Sequence, residues 1–261
     1  KAAIEVFKAK HGLSITGGDA AVIATVGGVD HVQYDAISYA GISSANLKNF
    51  GKWAFPSYDL AKADVVVGIG ADFLSNWGST TENAWQYASR RKPEQATAAQ
   101  PMSRHWQFEA RMSMTGANAD QRVAVKPSEV PHVVLALHNA IASALGTSAA
   151  PPAKLPAGAA ASVAQCAKEL VAARGKSVVM CGANDEGVQV LVNSINSMLG
   201  NYGSTIDLRN ASPFFQGNDA VMAQLVKDLD AGTIGAILIH GVNPAYTLPN
   251  AEAFKAGLKK A

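Results

Sequence analysis

Cysteine is nearly absent from this chain: only Cys166 and Cys181 occur, with fourteen residues between them. No CxxC is present, which excludes the common zinc and iron–sulfur signatures. The two thiols are expected to be free and half-buried. No apolar run approaches the ~20 residues a membrane span needs, and no signal peptide is visible. Charge is also scarce, at 16% of residues with a net +2 and a pI near 8.5. That balance is too mild for a nucleic-acid protein, and the Lys and Arg residues are scattered as on a solvated surface. Histidine occurs six times, but no pair has metal-ligand spacing. There is no G-x-S-x-G, no Walker lysine and no complete Rossmann fingerprint. The sequence therefore nominates no catalytic residue and no metal ligand.

What is present is apolar. Hydrophobic residues make up 48% of 261, enough to fill a substantial core. The chain starts at Lys1 in "AAIEVFKAK", which reads as mid-helix and suggests a fragment of a larger protein. Between 146 and 161 the stretch "GTSAAPPAKLPAGAAA" has no periodicity and reads as a linker. It predicts a first domain over 1–147, a linker at 148–158 and a second domain over 159–261.

In the first part, residues 2–10 read as a helix and 31–36 as a strand. "SYDLAKA" reads as a short helix leading into "DVVVGIGA" (64–71). That β-branched run ending in glycines is typical of a strand buried on both faces. A helix over 79–91, strands at 104–112 and 122–127, and a helix from Ser128 to Gly146 follow. The second part predicts helices at 159–174, 185–199 and 217–232, a final helix over 250–260, and strands at 176–183, 204–208 and 235–241. Helices alternating with short apolar runs mean βαβ units, so two α/β, doubly wound, mostly parallel layers are expected.

In such layers, ligands sit beyond the carboxyl ends of the strands. Four loops qualify: "GIGADFLSNWGS", "MSMTGANADQR", "CGANDEG" and "HGVNPAYTLP". Glycine lets backbone N–H groups approach a ligand, and a following helix start suits phosphate. Turn chemistry alone also explains Gly, Asn and Asp at these places. His240, at the end of the last expected strand, is the one histidine placed for a functional role, with backbone hydrogen bonding as the plainer use.

Taken together, "PSYDLAKADVVVGIGADFLSNWGST", "MSMTGANADQRVAVKPSE" and "GVNPAYTLP" resemble the molybdopterin oxidoreductase family in content and order. The similarity is closest to the molybdopterin-like large subunit of alternative complex III, notably at "TGANAD" and "VKPS". The resemblance implies two Rossmann-like central domains gripping a molybdopterin guanine dinucleotide between them. It implies cofactor contacts from Gly70, Asp72, Thr115, Asn118, Asp120, Asn184, Asp185, Gly241, Asn243 and Pro244. Asn243 would face a guanine or pyrophosphate edge, with Asn184 and Asp185 assisting. It further implies iron–sulfur clusters elsewhere in a longer chain. Its partners would be other subunits of a membrane-bound respiratory complex and the rest of its own chain, on the periplasmic face of a bacterial inner membrane. No axial metal ligand stands in the first part, so a scaffold that has lost its pterin is expected. The alternatives are the pterin-binding portion of an active molybdenum or tungsten oxidoreductase, and a nucleotide-binding module without redox role.

Overall fold

A computed structural model describes residues 30–98, 100–155, 158–212 and 214–261. The helix expected at 2–10 lies outside them. The described chain forms two compact units: Gly41–Ser212, and residues 30–40 together with 214–261.

In the first unit the elements run α1 (Ala40–Phe50), β1 (Phe55–Tyr58), β2 (Val65–Ile69), α2 (Thr80–Ser89), β3 (Arg104–Glu109), α3 (Met114–Ala117), β4 (Gln121–Ala124), α4 (Val130–Ala144), α5 (Ala159–Ala172), β5 (Ser177–Cys181), α6 (Glu186–Met198) and β6 (Ile206–Ser212). Strands β4-β3-β2-β5 make one parallel sheet, with Val67 opposite Trp106 on one side and Val179 on the other. The fold is thus α/β, as expected. The boundary expected at 148–158 does not divide the sheet, because β5, which follows it, hydrogen-bonds directly to β2. The described residues of the Ala- and Pro-rich stretch, up to 155, are mostly exposed and follow α4, which packs against α5.

Side chains alternate across a strand. One face therefore presents Val65, Val67, Ile69, Trp106, Phe108, Val179 and Cys181, all buried against α4, α5 and α6. Leu137 and Ile141 of α4, Leu170 of α5 and Ile195 of α6 are fully buried there. The opposite face carries His105, Gln107 and Glu109 of β3, also buried, with Tyr87 of α2 and Phe73 against His105. Both cysteines are free and buried. Burial pushes both thiols up, Cys181 to about 12.

Among the described residues no strand flanks the outer edge of β5, and side chains take several of its backbone groups instead. Asn196 of α6 accepts from Val179 N at 3.1 Å and donates to Val179 O at 2.9 Å. Thr205 Oγ1 donates to Ser177 O, and Gln189 Nε2 donates to Cys181 O at 2.9 Å. These side chains do what a neighbouring strand would do, and so close the edge.

Two expectations are corrected here. Residues 55–58, half of them assigned to a helix, form β1, and only Leu60–Lys62 makes a helical turn. Pro56 sits at a register break that splits the pairing between Phe55 and Ser57. The strand expected at 204–208 starts at Ile206 and runs antiparallel to β1 in a separate two-stranded sheet. It therefore extends no parallel layer.

The second unit holds α7 (Asp219–Asp230), α8 (Pro244–Thr247) and α9 (Ala251–Leu258). Its core is small: Met222, Val226, Leu229 and Phe254, with Val32, Tyr34, Ile234 and Ile237 packed partly against it. The expected strands at 31–36 and 235–241 are not strands in this unit. The apolar content of 235–241 was its strand signal, but no adjacent strand among the described residues supplies the ladder that a strand requires.

Candidate functional site

The carboxyl ends of β2, β3 and β5 lie side by side, so the loops that follow them meet. The strand order switches between β2 and β5, because the chain passes from β2 to β3 and β4 on one side and returns to place β5, parallel to β2, on the other. Such a switch point is the position where α/β sheets hold ligands.

The two loops abut closely. Gly182 N donates to Ile69 O at 3.0 Å, and Gly70 N donates to Phe108 O at 2.7 Å. A Cβ on Gly182 would stand 2.3 Å from Gly70 O, so a side chain there would force the loops apart. Gly70 has φ of +65°, a conformation glycine adopts without a steric penalty.

The acidic and polar residues expected to face a cofactor instead bind the chain itself. Asp72 Oδ1 accepts from Thr115 Oγ1 at 2.7 Å and from Thr115 N at 3.2 Å. Thr115 Oγ1 in turn accepts from Leu74 N at 3.0 Å, and Thr115 is fully buried. One threonine therefore clamps the β2 loop to the β3 loop. Asn184 Oδ1 accepts from Gly41 N at 2.7 Å, which ties the β5 loop to the start of α1. Asp185 is the N-cap of α6 and accepts from Val188 N at 2.8 Å. The next residue, Glu186, accepts from Ser44 and from Lys48 Nζ at 3.0 Å. Those two donors hold its carboxyl below the usual range.

Asn118 and Asp120 gather on the other side of the β3 loop. Asn118 Nδ2 donates to Met114 O, and its own carbonyl accepts from Tyr87 OH at 2.9 Å. Asp120 accepts from His105 N at 2.8 Å and takes both prongs of Arg91. Burial opposes its charge, but Arg91 and the His105 N–H outweigh that and hold its carboxyl low. Tyr87 OH spends its one proton on Asn118 O, so His105 Nδ1, 3.0 Å away, must donate to it. Burial pushes the His105 imidazole down to about 4, which keeps it neutral. Beside Asn118, the residues Leu74, Ala84, Tyr87, Ala88, Arg91, Lys92 and Met114 line a surface depression of about 470 Å³.

Sequence reasoning missed the residue that organises this loop. Glu109, 4% exposed, accepts from Ser113 N at 3.1 Å, Ser113 Oγ at 2.6 Å and Arg122 Nε at 2.6 Å. Burial would raise its carboxyl, and these donors lower it further than burial lifts it. A Cβ on Gly116 would fall 1.9 Å from Glu109 Oε1, which explains the glycine of "TGAN". The available signal was the second phase of "RHWQFE". Trp106 and Phe108 mark one face, so His105, Gln107 and Glu109 must share the other.

Gly241, Asn243 and Pro244 belong to the second unit. Gly241 has φ of +71°. Asn243 precedes α8, and its carbonyl accepts from Tyr246 N, Thr247 N and Thr247 Oγ1. Pro244 is buried at the first helical position, where its missing N–H costs nothing. His240 is exposed and lies on no strand. Among the described residues, no group of three His, Cys, Asp or Glu side chains could hold a metal, and no helix is long and apolar enough to cross a membrane. No protein-family model and no curated protein matches the chain.

Proposed function

We propose that this chain is a molybdopterin-oxidoreductase-like α/β segment that acts as a scaffold. In this reading it belongs to a membrane-associated respiratory quinol:acceptor complex, on the periplasmic face of an inner membrane. Redox centres would sit on other segments and subunits. One observation carries the scaffold reading: Asp72, Thr115, Asn184 and Asp185 accept hydrogen bonds from N–H and O–H groups of the chain itself, three of the four across from one loop or element to another. Those residues do not fit a pterin guanine dinucleotide. Their hydrogen-bonding capacity toward a ligand is largely used, and the carboxylates of Asp72 and Asp185 would repel a pyrophosphate. No chemical step is therefore assigned to the site. What it does mechanically is join three strand ends and the start of α1 into one rigid rim.

The test uses the full-length protein purified without added cofactor. Metal analysis and titration with GDP are expected to give no stoichiometric molybdenum or tungsten and no saturable nucleotide binding. Stoichiometric metal would establish the active-enzyme alternative. Saturable GDP binding without metal would establish the nucleotide-binding module.

A further inference from the structure

The depression beside Asn118 is lined wholly by residues of the first unit. At about 470 Å³ it has the size of a small-molecule site, which spans about 300–1,000 Å³. Its apolar lining comes from Leu74, Ala84, Ala88 and Met114, the last 59% exposed. Ala84 and Ala88 stand four residues apart on α2 and so share one helix face. Alanine at both positions leaves the hollow, which a larger side chain would fill. The Tyr87 hydroxyl is engaged with His105 and Asn118 O, and so is not offered to a ligand.

The charged part of the lining has one sign. Arg91 and Lys92 border the depression, and no Asp or Glu does. Arg91 gives both prongs to Asp120, so its charge is already balanced. Lys92 is exposed and joins no ion pair among the described residues. Asn118 Nδ2 gives one N–H to Met114 O and has a second to give. We propose that the depression binds a small, free organic anion with an apolar body and a single negative charge, such as a medium-chain carboxylate. The body lies against Leu74, Ala84, Ala88 and Met114, and the charged end meets Lys92 and Asn118. One unbalanced cation selects one negative charge. A pyrophosphate or nucleotide would bring more charge than Lys92 offsets, and an amine would meet Lys92 as a like charge. An uncharged molecule would gain from burial and nothing from Lys92. This inference rests on the depression alone and does not require the scaffold reading.

The test titrates octanoate into the full-length protein by calorimetry. Octylamine, with the same chain and the opposite charge, and vesicles of phosphatidylcholine with phosphatidylglycerol are titrated in parallel. Octanoate is expected to saturate at one per chain, while octylamine and the vesicles give no saturation. Ala88→Trp, which fills the hollow from an exposed helix position, should abolish octanoate binding. Lys92→Glu should weaken it at least roughly tenfold, the worth of one hydrogen bond to a charged group. Circular dichroism and urea midpoints should stay unchanged in both variants, since both positions are exposed. Absence of saturation by octanoate would overturn the proposal. So would octanoate binding to either variant as tightly as to the native chain, octylamine binding equally well, or binding to the vesicles alone.

Discussion

Two runs in this chain read almost alike, and they have opposite fates. "DVVVGIGA" (64–71) and "GAILIHGV" (235–242) are both short, apolar and punctuated by glycine. The first is β2, with Val66, Val67 and Ile69 fully buried between β3 and β5. The second is neither helix nor strand, and its Leu238 is almost wholly exposed. Composition alone therefore does not make a strand. Neighbours that accept and donate along both edges do, and β2 has two while 235–242 has none among the described residues.

The contrast can be broken most forcefully at its buried end. Val67→Asp would place an unpaired charge in the middle of the sheet, and a loss of more than about 4 kcal/mol is expected in urea unfolding, enough to abolish the folded state. Removing the carboxylate that orders the loop beyond β3 comes next. Glu109→Ala should cost about 3–5 kcal/mol, because Arg122 and Ser113 would lose a buried partner. Proteolysis should then begin within 110–118.

Acid sharpens the comparison in a third way. His105 takes up a proton at about 4 in the folded chain, against 6.5 in the unfolded one. Between those values the unfolded chain binds more protons, so stability falls as pH falls from 6.5 to 4. The loss is on the order of 3 kcal/mol. Below that window Glu109 and Asp120, both held low, add to the loss as they protonate. Urea midpoints across this range should decline for the native chain and decline less for His105→Gln. At the exposed end, Leu238→Lys in the isolated chain should change unfolding free energy by less than about 0.5 kcal/mol.

The sequence was most legible where one phase of a period met one core. The runs that became β2, β5, α4 and α6 all carry uninterrupted apolar periodicity, and they appear close to their expected positions. Legibility failed where a polar side chain replaced a backbone partner. Nothing in "NSIN" indicates that Asn196 closes the edge of β5, so the second part of the chain looked like a separate layer. It failed again at β1, where pairing with the distant β6 overrides a locally helical reading of 57–63. The loops beyond the strands were found, because glycine and Asn or Asp must cluster there. What those side chains bind was not legible, since Asp72 and Thr115 are 43 residues apart and their contact depends on the sheet.

That contact is the place to test the account directly. A double-mutant cycle of Asp72→Ala and Thr115→Val, followed by urea unfolding, measures whether the two side chains act on each other. The account expects a coupling of about 1–3 kcal/mol, as for a partly buried, charge-assisted hydrogen bond. Additive losses, with coupling near zero, would mean that these residues do not clamp the loops and would contradict the scaffold reading.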